Sequence, residues 1–217
     1  EYLIDAADFI ACHNPSYVTR YDMVSDLKEG GAFLLNCEWT SVEALEKELP
    51  AKMKNILAKK HAKLYVIDAI KIAGELGLRG KTSTILQSAF FCINPQIMPY
   101  ESADKNDKNT AVALMKYMAY KSFSRKGDAI VQMNYNAIDS AKENLVKIDI
   151  PASWATTSEG AEMVKLADND YFKNVVAPIL ALEGDKLPSS AFNADGSVPT
   201  GTTKFEKRGV AVLVPEW

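Results

Sequence analysis

Four polar residues stand where a ligand would be met: His13, Asn14, Asn36 and Asp68. They close or follow three short apolar runs, Phe9-Ile10-Ala11-Cys12, Ala32-Phe33-Leu34-Leu35 and Leu64-Tyr65-Val66-Ile67. If those runs are neighbouring parallel strands, their carboxyl ends share one rim, where open parallel sheets meet ligands. His13 at such a rim would stand where a ligand binds, and the amides and the carboxylate could meet a polar ligand. The same residue types also have a plainer use. Asn and Asp cap turns, and a lone histidine without a carboxylate or cysteine beside it is more often structural. Both readings stay open at this level, and the expectation taken forward is a ligand-facing rim of His13, Asn14, Asn36 and Asp68.

Other groups carry less. His61 sits at the end of a lysine-rich helix, where positive charge suits the helix dipole. The three cysteines, Cys12, Cys37 and Cys92, lack any C-x-x-C spacing, which argues against a disulfide framework and a self-contained iron–sulfur site. Cys12 and Cys37 end adjacent runs and read as buried structural thiols. No three or four ligands converge in sequence as a metal site requires, and no nucleophile–base pair stands out. Lys52, Lys54, Lys59, Lys60 and Lys63 read as a solvated basic face. Gly30-Gly31 is no phosphate-binding loop, because such loops follow a strand and open a helix. Here the pair is expected to end a helix and precede a strand.

The elements that must hold these residues follow from periodicity. An unbroken apolar run bounded by turn signals suits a strand buried on both faces. The first half therefore reads as strand–helix–strand–helix–strand, with Gly30-Gly31-Ala32-Phe33-Leu34-Leu35-Asn36 leading through its centre. The first helix is expected over residues 17–27, capped by Ser16, with Val18, Tyr21, Val24 and Leu27 as its buried stripe. Thr40 or Ser41 caps a second, Pro50 splits it, and residues 70–78 form a third that stops at Gly77 or Gly80. Helices are then expected over residues 84–93, 111–123 and 129–146 with no strand between them. A last helix is expected over 159–182, bent or ended by Pro178. From Gly184 the chain is rich in Pro, Gly, Ser and Thr and reads as an extended linker ending in a strand at Val210-Ala211-Val212-Leu213-Val214.

Composition bounds the rest. The chain of 217 residues is 47% hydrophobic and 24% charged with a net charge of −3, ordinary for a folded domain or two. No basic excess invites nucleic acid or an anionic membrane, no apolar run is long enough to span a bilayer, and the sparse cysteines suit a reducing, cytoplasmic setting. The opening on Glu1 and the strand-like end at Trp217 suggest a piece of a longer polypeptide.

Three stretches carry a resemblance. The first is Asp8-Phe9-Ile10-Ala11-Cys12-His13 with Tyr21-Asp22 and Leu27-Lys28-Glu29-Gly30-Gly31-Ala32-Phe33-Leu34-Leu35-Asn36. The second is Leu45-Glu46-Lys47-Glu48-Leu49-Pro50-Ala51-Lys52-Met53-Lys54 running into Tyr65-Val66-Ile67-Asp68-Ala69-Ile70-Lys71-Ile72-Ala73. The third is Pro199-Thr200-Gly201-Thr202-Thr203-Lys204-Phe205-Glu206-Lys207-Arg208-Gly209 before Val214-Pro215-Glu216-Trp217. Taken in order, they resemble the middle of the pyruvate:ferredoxin (flavodoxin) oxidoreductases, over essentially the whole chain. Lys126-Gly127 through Met133-Asn134-Tyr135-Asn136-Ala137 is similar to the helix that packs beside the sheet in the family's gamma-type domain.

The resemblance implies an α/β fold, a layered, Rossmann-like sheet of parallel strands truncated at its start, with a helical section and an extended C-terminal connector. Residues 1–150 would be the gamma-type domain and residues 151–217 a helix and connector towards a ferredoxin-like domain. It implies a homodimeric parent that uses thiamine diphosphate and [4Fe-4S] clusters, takes coenzyme A as substrate and passes electrons to ferredoxin or flavodoxin. Thiamine and cluster sites would lie outside this chain, so no cofactor is expected within it. The family's glycine-rich loop lies upstream of the match. No catalytic residue is therefore carried over, no turnover is expected from the chain alone, and its share would be structural support with some coenzyme A docking. The other reading is a stand-alone α/β ligand-binding or protein-interaction module using the strand-end rim.

Overall fold

The computed structural model describes residues 4–104, 106–163, 168–181 and 183–205. Chain contacts divide it into two compact units, Glu1–Glu162 and Met163–Trp217. The first is built on three parallel strands, β1 (Ala7–Cys12), β2 (Leu27–Asn36) and β3 (Lys63–Ile67), in that spatial order. A short β4 (Val146–Ile148) runs antiparallel beside β3. Thus β2 is the central parallel strand, and its residues 31–36 are all buried because both faces are covered.

Alternation sends Phe33 and Leu35 to one face and Leu34 to the other. The first face, with Leu64 and Val66, packs on Leu45, Leu49, Met53 and Leu57. These come from α1 (Val42–Glu48), α2 (Ala51–Lys59) and their junction. Ser41 caps α1 by accepting from Ala44 N, and Pro50 stands between the two helices. Then follow α3 (Ala69–Glu75), α4 (Ser83–Ile93), α5 (Ala111–Phe123) and α6 (Asp128–Asn144). The second face, with Leu34 and Ile67, meets α3, α4 and α6 largely through Ala69, Ala73, Ala89, Ala137 and Ala141. Small side chains let these helices lie close to the sheet. α5 packs on α4 and α6 as an outer layer.

The link from β1 to β2 corrects the expected helix over residues 17–27. Only a 3₁₀ turn forms, at Pro15–Tyr17, and Asn14 rather than Ser16 caps it. Asp22 Oδ1 accepts from Val24 N and Ser25 N, and such local bonds offer the backbone an alternative to helix. Val18 and Val24 are buried all the same, from a loop, and Leu27 as the first residue of β2, but Tyr21 of the expected stripe is exposed.

Gly30 and Gly31 lie inside β2 and terminate no helix. The step Ala7 to Phe9 on β1 is matched by Leu27 to Ala32 on β2, so the glycines form a bulge. Gly30 has φ +68°, and a Cβ at Gly31 would sit 2.9 Å from the Lys28 carbonyl. β4 was not expected either. Three residues leave too little alternation to show beside the long helical pattern of α6, but Ile148 opposite Leu64 completes the core.

The helix expected over residues 159–182 is shorter. Residues 159–163 are not helical, and residues 170–180 are, with a π-helical turn at Phe172–Val176 before α7 (Ala177–Leu180). Gly160, at φ +150°, does not suit a helix, and Asn169 Oδ1 caps the start by accepting from Phe172 N. Short 3₁₀ turns follow at Gly184–Lys186, Ser189–Ala191 and Thr202–Phe205. Phe172 packs against Phe205, ring centroids 5.7 Å apart. The strand expected at residues 210–214 lies outside the described residues.

Candidate functional site

The four rim residues do come from one edge of the sheet. His13 and Asn14 follow β1, Asn36 ends β2, and Asp68 follows β3, so parallel pairing brings together residues up to 55 apart in number. Asn36 is the centre of this edge. It is 2% exposed; its Nδ2 donates to His13 O at 2.9 Å and its Oδ1 accepts from Ala69 N at 2.9 Å. One buried amide thus ties the end of β1 to the start of α3. Asp68 is the N-cap of α3, with Oδ1 accepting from Lys71 N at 2.9 Å, and Asn14 Oδ1 accepts from Ser16 N at 3.1 Å. Three of the four side chains are therefore engaged by backbone, and Asn36 faces inward as a bracket. The His13 imidazole is exposed, while Asn14 and Asp68 are half-buried.

Beneath the rim lie two thiols. Burial pushes Cys12 up to about 11, against a bond to Asn14 O. Burial also pushes Cys37 up to about 12, against its contact with Trp39 O and with added repulsion from Asp68 and Cys12. Thiols held protonated are poor nucleophiles and poor metal ligands. Among the described residues no group of three or more His, Cys, Asp or Glu is placed to hold a metal ion. The residues present do not fit an iron–sulfur cluster.

Two features escaped sequence reasoning. One is a knot on α1 and α2. Lys54, 2% exposed, donates from Nζ to Glu46 O at 2.7 Å and lies 5.8 Å from the centroid of the Trp154 ring. Trp154 Nε1 donates to Glu46 Oε1, and Asn55 Nδ2 holds the carbonyls of Trp154 and Thr157. Gly160 completes it, since a Cβ there would come 2.3 Å from Leu49 O. The expected solvated lysine face is corrected at Lys54. Helical phase against Met53 and Leu57 is the signal for its burial, but the Trp154 ring that covers it is about a hundred residues away. The second is an open cleft of about 710 Å³ beside α4 and α6, lined by Cys92, Tyr100, Glu101 and Lys142 among others. Tyr100 is anchored to Ser88 and Ile138 O, and Lys142 pairs with Glu101.

A mostly parallel sheet, helices on both faces and a polar strand-end rim define an open α/β domain. Comparison with known proteins narrows this. A family model described as pyruvate ferredoxin/flavodoxin oxidoreductase matches residues 1–144, and the chain belongs to that family. A second, the EKR domain of unknown function, matches residues 157–211. The chain is similar to the pyruvate:ferredoxin oxidoreductase of Moorella thermoacetica, 47% identical over 216 residues, 100% of this chain and 18% of that protein. It is 41% identical to the pyruvate-flavodoxin oxidoreductase of Klebsiella pneumoniae over 218 residues, with the same two coverages. Pyruvate oxidoreductase subunit PORC of Thermotoga maritima aligns at 17% identity and TM-score 0.47 over 65% of each chain. The chain spans 18% of the length of the Moorella and Klebsiella relatives.

Proposed function

We propose that this chain is one part of a longer 2-oxoacid oxidoreductase. In this reading the full polypeptide converts pyruvate and coenzyme A to acetyl-coenzyme A and CO₂ and passes two electrons to ferredoxin or flavodoxin. The observation that carries it is 47% identity, across the whole chain, to a pyruvate:ferredoxin oxidoreductase. Thiamine diphosphate and [4Fe-4S] clusters supply the carbon and electron chemistry of such an enzyme, and this chain's described residues are not assigned to hold them. The parent is read as a cytoplasmic homodimer; no helix among the described residues is long and apolar enough to cross a membrane. Residues 1–150 act as its gamma-type domain and residues 151–217 as a connector.

The chain's own share is support and coenzyme A docking at the strand-end rim. Asn36 holds the ends of β1 and α3 at fixed spacing, which leaves His13 exposed and Asn14 and Asp68 half-buried to face the ligand. The chain alone has no turnover in this reading.

The test is pyruvate- and coenzyme A-dependent viologen reduction by the full-length gene product, loaded with its cofactors. Absence of activity overturns the parent reading. In the active enzyme, His13→Ala is expected to raise KM for coenzyme A several-fold with kcat little changed. An unchanged KM removes docking from the rim and leaves the parent reading standing.

A further inference from the structure

Helix α5 carries an apolar face that the other described residues leave open. Leu114, Tyr117 and Met118 share one stripe at i, i+3 and i+4 spacing and are 40%, 56% and 56% exposed; Tyr120 beside them is 53% exposed. The opposite side is committed, with Ala119 buried and Lys116 bound to Asp139 of α6 at 2.7 Å. Behind the stripe a groove of about 320 Å³ runs between α4 and α5, with Phe91, Met98, Met115 and Phe123 in its walls. Side-by-side exposure of large apolar groups marks an interaction surface, and aromatic and Met side chains are enriched at such surfaces.

Charge narrows the occupant. Residues 108–127 hold five Lys or Arg and no Asp or Glu, in a chain whose net charge is −3. Lys121 continues the stripe at i+7 from Leu114 and lies 5.4 Å from the Tyr117 ring centroid. Arg125 and Lys126 follow, both exposed. A second copy would bring a face of the same net positive charge, and like charge on both sides of an interface disfavours that pairing. The centre of the stripe is apolar, which suits a protein surface better than a phosphate backbone.

We propose that the outer face of α5 docks an acidic, apolar-centred surface of another part of the same longer polypeptide. The inference rests on the parent reading above, and on relatives in which a chain of this length is only 18% of the whole. A tethered surface is present at high effective concentration, so a patch of this modest size needs no separate partner.

The experiment places the photo-cross-linker p-benzoylphenylalanine at position 117 of the full-length gene product and maps the linked peptides. The expected link is within one polypeptide, to a peptide outside these 217 residues that carries Asp or Glu beside its apolar contact. Combining Lys121→Glu with Arg125→Glu is expected to lower its yield about five-fold without changing the thermal midpoint. A link to a second copy, to a separate protein or to nucleic acid overturns the proposal, as does no link at all. Length and pyruvate-dependent activity of the same preparation report on the parent reading separately: an active full-length enzyme without the expected link overturns the docking alone.

Discussion

At the end of β2 and on α2 the protein buries what is usually left in water, an asparagine and a lysine, each 2% exposed. On α5 it leaves in water what is usually buried, a leucine, a methionine and two tyrosines. The buried polar groups are bound to backbone groups of other elements, Asn36 to His13 and Ala69, 23 and 33 residues away, and Lys54 to Glu46, eight residues back on α1. They organise the fold. The exposed apolar groups have no such internal duty, and the neighbouring positive charge gives them a preference in partner. Residue type sets what a side chain can do; its surroundings decide whether that capacity is spent inside the molecule or offered outside it.

The contrast breaks most readily at the knot. Trp154→Ala removes a ring that is 1% exposed together with its bond to Glu46, and is expected to cost about 3–5 kcal/mol, read as a lower urea midpoint. A loss below about 1 kcal/mol would show that this strap does not organise α1 and α2. Next is Asn36→Ala, which strands His13 O and Ala69 N beneath the rim and is expected to cost about 2–3 kcal/mol. Asn36→Asp sharpens the point, since it keeps the acceptor for Ala69 and, once ionised, has no donor for His13. Burial raises that carboxyl in the folded state, so the variant should lose stability as pH rises above about 4; a flat profile would mean the site is wet.

A smaller effect is expected at Asp22. Burial alone would raise its carboxyl, but bonds from Lys52, Ser25 and Val24 together outweigh it and hold it at about 2, below its ordinary 3.8. A group lowered in the folded state stabilises above the unfolded value and loses that contribution as pH falls from 3.8 towards 2. Its partly exposed pair with Lys52 keeps the effect under about 1 kcal/mol, so acid unfolding of Asp22→Asn should differ from the parent chain only slightly, above that window. Smallest of all is Met118→Ser on α5, expected to change the stability of the 217-residue chain by less than about 0.5 kcal/mol. A loss of 2 kcal/mol or more would make this face part of a core and end the contrast.

Much of the candidate site was legible as position. Apolar runs ending in polar residues placed His13, Asn14, Asn36 and Asp68 at strand ends, and parallel pairing in chain order brought them to one edge. Their engagement was not legible, because a side chain looks the same in sequence whether it meets a ligand or a backbone 23 or 33 residues away. The glycine pair misled for a similar reason. Two glycines stop a helix or build a bulge equally well, and only the pairing of β1 with β2 distinguishes them.

What the amino-acid sequence determined by itself was local: the buried parallel runs, a helix cap at Thr40 or Ser41, the break at Pro50 and α5 with both its ends. Family membership was also written there, since it lies in residue order. These depend on periodicity, backbone chemistry and identity within short windows. Only the tertiary structure decided the bulge at Gly30-Gly31, the three-residue β4, the Asn36 bracket and the burial of Lys54 under Trp154. Each of those needs groups from distant parts of the chain to satisfy one another's hydrogen bonds or exclude water together, and that condition exists only once the chain has closed on itself.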